Sequence, residues 1–164
     1  MGNLRAGVRQ VRTSHRPVGS CGGAPKLLRL AAREADIVSI MPRAQAYGSG
    51  LEDADAIAES FDRKVALVRE AAGERFASLQ LNTLVQRVVI TDDRRQSAEK
   101  MAGEWEVTPD QLLESPLLLI GTIDQLVEQL HARRERFGLS YITVFERDLA
   151  SFSPVLIRMR ATSE

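Results

Sequence analysis

The 164-residue chain has very few of the side chains that bind metals or form disulfides: one cysteine, Cys21, and two histidines, His15 and His131. A single cysteine excludes an internal disulfide and fits the reducing cytoplasm, which we expect to be the location of the protein. Two histidines and a single cysteine give no zinc-ligand cluster. We therefore predict no metal site.

The chain also lacks an excess of charge of either sign and any long apolar run. It holds 22 basic and 22 acidic residues, so composition gives no sign of a nucleic-acid or membrane partner. The longest apolar runs, such as Pro116–Ile120, are far shorter than the roughly 20 residues of a membrane span. Because 44% of the residues are hydrophobic, the chain can still build a folded core.

Recognisable catalytic and nucleotide-binding motifs are missing as well. We find no Ser/His/Asp set and no carboxylate pair with a plausible catalytic role, and we name no catalytic residue. The spacing Gly19-x-x-Gly22-Gly23 differs from the G-x-G-x-x-G dinucleotide fingerprint. Lys26 follows Ala-Pro without a Ser or Thr after it, which excludes a Walker loop.

What the sequence does contain is a strand–helix–strand unit over Pro17–Pro42. A short extended segment, Val18–Cys21, leads into Gly22-Gly23, where the absence of Cβ atoms permits positive φ and a close approach by a ligand. Pro25 suits the first helical position, so a helix points its free N–H groups at whatever lies over the glycines. This bend predicts an anion site; the alternative is a tight turn without a ligand.

Strands and helices alternate along the rest of the chain. Alternation of this kind predicts parallel strands joined by right-handed crossovers. The predicted strands are Val18–Cys21, Asp36–Met41, Leu79–Thr91 and Tyr141–Glu146. The predicted helices are Pro25–Ala35, Leu51–Ala72, Arg94–Gly103, Pro109–Leu113, Ile123–Phe137 and Ser153–Met159. In the first helix we expect Leu27, Leu28, Leu30 and Ala31 to be buried.

Two segments carry a family resemblance. Gly22–Asp36, GGAPKLLRLAAREAD, resembles the middle of the bacterial luciferase-like flavin and deazaflavin oxidoreductases, and Leu118–Glu146 resembles their closing segment. The resemblance implies that the chain is the C-terminal half of a (β/α)8 TIM barrel, with four parallel strands alternating with helices. A complete barrel of this type typically needs about 250 residues, so the chain is too short to be one.

The resemblance also implies a coenzyme and its binding residues. In that family the Gly-Gly-x-Pro turn contacts the phosphate-bearing side chain of the coenzyme, which implicates Cys21, Gly22, Gly23, Ala24 and Pro25 here. The sequence looks closest to the branch of oxidoreductases that uses coenzyme F420, a deazaflavin; the alternative is an FMN-dependent luciferase-like monooxygenase. The substrate would be a small organic molecule that exchanges hydride with the coenzyme.

The predicted organisation is a basic, disordered tail at residues 1–16, followed by a half-barrel domain at residues 17–164. The family's acid–base residues lie mostly in the half that this sequence lacks, which leaves enzymatic activity open. A half-barrel has two open sheet edges, so we expect a homodimer or a second half-barrel as partner. The other function we consider is a non-catalytic half-barrel, either a fragment or an assembly partner.

Overall fold

The computed structural model describes residues 18–46 and 50–161. The predicted tail, residues 1–16, and most of the Tyr47–Gly50 loop lie outside the described residues. The described strands are β1 (Gly19–Gly22), β2 (Ile37–Ile40), β3 (Gln80–Val85), β4 (Arg87–Ile90), β5 (Leu118–Gly121) and β6 (Leu139–Val144). The described α-helices are α1 (Pro25–Glu34), α2 (Ala58–Ala72), α3 (Arg94–Ala102), α4 (Pro109–Glu114), α5 (Ile123–Phe137) and α6 (Leu149–Ala161).

The main sheet has four strands in the order β1-β2-β3-β6, and every pair in it is parallel. A second, two-stranded sheet pairs β4 with β5, also in parallel. This confirms the predicted α/β class with parallel strands and alternating helices. Carboxyl ends of parallel strands meet at one edge of the sheet, which is where binding sites of α/β proteins are built.

The strand predictions were wrong in two places. The single strand predicted at Leu79–Thr91 is divided into β3 and β4 at Gln86, whose amide donates to the Leu117 carbonyl instead of continuing the main ladder. Strand β5 was not predicted. All four of its residues are buried, so it has no alternation of polar and apolar residues to reveal it.

Two helices begin elsewhere than predicted. Helix α2 starts at Ala58 instead of Leu51, because Asp53–Asp55 forms a 3-10 turn whose last carboxylate is held by the chain around it. Helix α6 starts at Leu149 and includes Pro154, which the sequence placed at its beginning. Burial of Phe152 and Val155 against the core holds this helix on both sides of the proline.

The buried face of α1 also differs from the prediction. Leu28, Ala31 and Ala32 are buried, whereas Leu27 is 38% and Leu30 is 50% exposed. Positions 28, 31, 32 and 35 share one side of a helix at three- and four-residue spacing, and this side packs against the core. The prediction that Leu27 and Leu30 are buried was therefore wrong.

The largest hydrophobic core lies between the main sheet and helices α1 and α2. Val38 and Ile40 of β2 are fully buried there, and Phe61 of α2 meets Phe137 of α5 edge to face, with ring centroids 6.1 Å apart. Trp105 packs against this core in a partly buried position, and His131 is exposed. Aromatic pairs of this geometry add to the stability provided by burial.

Replacing Phe61 with alanine tests how strongly this core depends on one side chain. Phe61 is 0% exposed, so its removal leaves a cavity and should lower the free energy of unfolding by about 3–5 kcal/mol. Tyr141→Ala is the matched control, because that ring is 48% exposed and should cost much less. Urea denaturation followed by circular dichroism measures both; equal losses would contradict the assigned core.

Candidate functional site

The bend between β1 and α1 lies at the carboxyl end of the first strand, as the resemblance requires. Strand β1 ends at Gly22, Gly23 is buried, and Ala24 and Pro25 are exposed. Helix α1 begins at Pro25, and its N-cap residue, Ala24, makes no side-chain hydrogen bond to the first turn. The first-turn amides therefore have no side-chain acceptor and keep the capacity to bind an anion.

The two glycines have a packing role that was not predicted from the sequence. Neither Gly22 nor Gly23 has a positive φ. A Cβ on Gly23 would lie 2.4 Å from the Met41 carbonyl oxygen and 2.5 Å from the Arg43 nitrogen, so glycine is required for close packing of two backbones. A Cβ on Gly22 would meet the Leu27 side chain. Gly23 thus brings the segment that follows β2 directly against the bend.

That packing forms one wall of a cleft of about 420 Å³ between the beginnings of α1 and α2. Its volume is in the range of roughly 300–1,000 Å³ typical of small-molecule sites. Cationic side chains dominate its polar lining. The lining residues are Gly23, Pro25, Arg29, Arg43, Asp55, Ser60, Arg63, Lys64 and Leu67.

A buried ion pair supports the floor of this cleft. The Lys64 ammonium donates to the Asp55 carboxylate at 2.5 Å and to the Met41 carbonyl at 2.9 Å. The same carboxylate accepts from the Arg43 amide at 2.8 Å and from the Ser60 hydroxyl. A buried charge is tolerated only when it is paired and hydrogen-bonded in this way. The network fixes the segment after β2 to helix α2.

The guanidinium groups around the cleft differ in how far they are neutralised. Arg43 pairs with Glu52 at 2.7 Å and approaches Asp55 at 3.6 Å. Arg29 and Arg63 have no carboxylate within ion-pair distance among the described residues, and both are exposed. With Asp55 already paired to Lys64, the cleft carries excess positive charge and suits a phosphate or another multivalent anion.

The pKa values of the ion pair follow from its surroundings. Burial alone would raise the pKa of Asp55, but hydrogen bonds from Lys64, Ser60 and the Arg43 amide lower it below its ordinary value of 3.8. Burial lowers the pKa of the Lys64 ammonium, and the bond to Asp55 partly offsets that effect. The carboxylate is therefore ionised throughout the neutral range.

A row of polar side chains crosses the sheet face that lies away from α1 and α2. Cys21, Ser39, Asn82 and Tyr141 are neighbours in the register of the four strands. Ser39 donates to Asn82 Oδ1 at 2.6 Å, and Asn82 Nδ2 donates to the Tyr141 carbonyl and to Thr143 Oγ1, each at 3.0 Å. Cys21 is exposed, and desolvation raises the pKa of its thiol, which disfavours a reactive thiolate.

Sequence reasoning placed the predicted residues at the edge of the cleft and missed most of its lining. Gly23 and Pro25 line it, whereas Cys21, Gly22 and Ala24 do not. The missed residues with charged side chains are Arg29, Arg43, Asp55, Arg63 and Lys64. One signal was available: Lys64 lies between Phe61 and Val68 on the apolar side of α2, where an unpaired charge would be costly.

Fold and cleft together define the class of protein: an α/β half-barrel with a cleft lined by cationic side chains at the carboxyl ends of its strands. Among residues 18–46 and 50–161, no group of three or more potential ligands could hold a metal ion. None of the helices in that part of the chain combines the length and apolar character of a membrane span.

Three solved structures with a similar fold are monooxygenases. Long-chain alkane monooxygenase LadA superposes with a TM-score of 0.55 at 9% identity, over 88% of this chain and 41% of its own. EDTA monooxygenase EmoA from Chelativorans sp. BNC1 gives 0.53 at 15% identity, over 87% and 44%. DmoA from Hyphomicrobium sulfonivorans gives 0.53 at 12% identity, over 87% and 41%.

The match covers about two fifths of the length of these proteins, as expected of half a barrel. No protein-family model matches the chain, and no curated protein matches its sequence. At these identities the similarity shows a shared fold. That fold is an α/β arrangement of parallel strands alternating with helices, and the matched extent is consistent with half of a barrel.

Breaking the buried ion pair tests whether it supports the cleft. Lys64→Met leaves the Asp55 carboxylate buried without its cation and should destabilise the fold by about 3–5 kcal/mol. The double variant Asp55→Asn with Lys64→Met should recover much of that loss, because no uncompensated charge remains. Urea denaturation of the single and double variants measures the coupling; additive losses would contradict it.

The Asp55 carboxylate also predicts a pH dependence. A group whose pKa is lowered on folding stabilises the protein above its ordinary value, here 3.8, and that contribution is lost as the pH falls through the lower folded value. The unfolding free energy should therefore fall on acidification below about pH 4 by more in the wild type than in Asp55→Asn. Parallel pH profiles of the two proteins would refute this assignment.

Proposed function

We propose that the cleft binds the phosphate-bearing side chain of a redox coenzyme, and that the chain is part of an oxidoreductase of the luciferase-like type. The cluster of Arg29, Arg43, Arg63 and Lys64 beside the bend of Gly23 is the observation that supports this most strongly. A second support is the fold, which is shared with three monooxygenases. Neither support depends on a catalytic residue.

Each part of the cleft has a role in binding such a group. The uncapped amides at the start of α1 would donate to phosphate oxygens, assisted by the positive end of the helix. Arg29 and Arg63, which lack carboxylate partners among the described residues, would supply charged hydrogen bonds. Lys64 would act at one remove, by fixing the segment that carries Arg43.

We infer coenzyme F420 as the first candidate and FMN as the second, on the resemblance of Gly22–Asp36 to the deazaflavin-dependent branch. Both carry a phosphate on the ring's side chain, and the cationic lining fits either one. When bound, the coenzyme would supply hydride transfer to or from a small organic substrate. The chain's own residues would bind and orient it, and a reducing cytoplasm fits the exposed thiol of Cys21.

A second candidate function is that of a non-catalytic half-barrel. The observation that favours it is the set of apolar side chains exposed at both edges of the sheet, which suits assembly. Under this alternative the cationic cleft would have no coenzyme, and the chain would bind neither F420 nor FMN.

Calorimetric titration separates these functions. We expect FMN to bind more tightly than riboflavin, which lacks the phosphate, and F420 more tightly than its dephosphorylated chromophore. Arg63→Ala should weaken FMN or F420 by about tenfold or more, because a hydrogen bond between charged groups contributes roughly 1.5–3 kcal/mol. Arg33→Ala is the matched control, since Arg33 is exposed on α1 outside the cleft.

Two results would count against the proposal. Equal affinity for FMN and riboflavin would show that the cleft does not read the phosphate. Absence of binding by both F420 and FMN would favour the non-catalytic half-barrel. Higher ionic strength should weaken binding if the guanidinium groups carry it.

A further inference from the structure

The two edges of the main sheet are open within the described part of the chain. Strand β1 pairs only with β2, and β6 pairs only with β3, so each presents one row of backbone groups without a neighbouring strand. Open edges of this kind tend to pair with another chain. Because all four strands are parallel, the two edges can be joined to each other without reversing any strand.

Apolar side chains accompany both edges. Beside β1, Leu27 and Leu30 of α1 are 38% and 50% exposed, on the side of α1 turned away from the core. Beside β6, Leu149, Leu156 and Ile157 of α6 are 51%, 44% and 70% exposed. These three positions follow helical spacing, so they form one stripe along α6. Such exposure at two matching places marks an association surface.

We propose that a second copy of this chain closes the barrel. A two-fold axis parallel to the strands relates the two copies. It places β1 of each copy beside β6 of the other, so the barrel has two equivalent junctions. All eight strands of the two main sheets then run parallel. The leucines of α1 pack on the apolar stripe of the partner copy's α6. The last β/α unit of one copy, β6 with α6, then packs beside the first unit of the other copy, β1 with α1. Neighbouring units within one copy pack side by side in the same way.

A second copy is the occupant that we infer because each copy supplies both edges that closure needs, β1 and β6. The matched monooxygenases are rather more than twice as long as the part this chain covers, so a further unit of similar size completes the same fold. Closure also brings the exposed Cys21 and Tyr141, at opposite ends of the polar row, onto one continuous inner surface. The inner face of the barrel is incomplete in a single copy. This inference does not depend on the proposed coenzyme.

Sedimentation of the full chain is the first test. The wild type should be a dimer at micromolar concentration, and Leu30→Asp or Ile157→Asp should convert it to a folded monomer, since both side chains are exposed within one copy. Ile90→Asp is the matched control: Ile90 is 44% exposed on β4, which belongs to the separate two-stranded sheet, and its substitution should leave the dimer intact. Circular dichroism checks that each variant is folded.

Crosslinking tests the arrangement of the edges. Cys21 is the only cysteine of the chain, so Tyr141→Cys or Thr143→Cys supplies one possible disulfide partner for it, on one face of β6. Two alternative positions are tested because the strands of a closed barrel are staggered relative to one another. Within one copy, β1 and β6 are three strand spacings apart, about 14 Å, which exceeds the reach of a disulfide. Mild oxidation should therefore give covalent dimers with at least one of these variants, and not with Glu70→Cys on α2.

A wild-type monomer that unfolds cooperatively would overturn the proposal and assign the open edges to another occupant, such as residues 1–17 of the same chain or a different protein. Dissociation by Ile90→Asp as complete as that caused by Ile157→Asp would overturn it too. A dimer that forms no disulfide with either β6 cysteine would contradict the edge-to-edge arrangement.

Discussion

The carbonyl group of Met41 is the point on which the site depends. Its oxygen lies only 2.4 Å from the position that a Cβ on Gly23 would occupy. The same oxygen accepts a hydrogen bond from the Lys64 ammonium at 2.9 Å. This one backbone oxygen thus leaves room only for glycine in the bend after β1, and it is also the acceptor for a buried lysine of α2. Because Lys64 is also paired with Asp55, a single polar network holds the segment after β2 to helix α2, and Gly23 packs directly against that segment.

This constraint explains how the cleft can carry so much positive charge. The buried cation is neutralised by Asp55, and Arg43 is partly neutralised by Glu52, so the network satisfies itself without closing the cleft. The guanidinium groups of Arg29 and Arg63 are exposed at the surface, where water solvates them. The bend and the start of α1 provide backbone N–H groups that point toward the cleft, and the arginines provide its positive charge.

The sequence was informative where local chemistry decides structure. The capping box of Thr122 with Gln125 and the left-handed Gly138 delimit α5 at the predicted bounds. The parallel alternation of strands and helices was predictable for the same reason. Tertiary packing decided the rest: β5 is buried on both faces and has no periodic signal, and α1 turns Leu27 and Leu30 outward because the alanines fit the close contact with α2.

The site was less predictable than the fold. Gly23 and Pro25 were found from their spacing, but Arg43, Asp55, Arg63 and Lys64 come from segments distant in sequence and meet only when β2 and α2 pack on the bend. The packing role of Gly23 was not predicted, since a close approach by the chain's own backbone and one by a ligand leave the same signature in a sequence.

The most direct measurement of the central claim is amide chemical-shift mapping of the 15N-labelled protein during addition of FMN. If the phosphate lies in the cleft, the largest shifts will be those of the Gly23, Lys26 and Leu27 amides, together with the side-chain Nε–H signals of Arg29 and Arg63. Shifts that are absent there, or that are largest at residues remote from the cleft, would contradict the account.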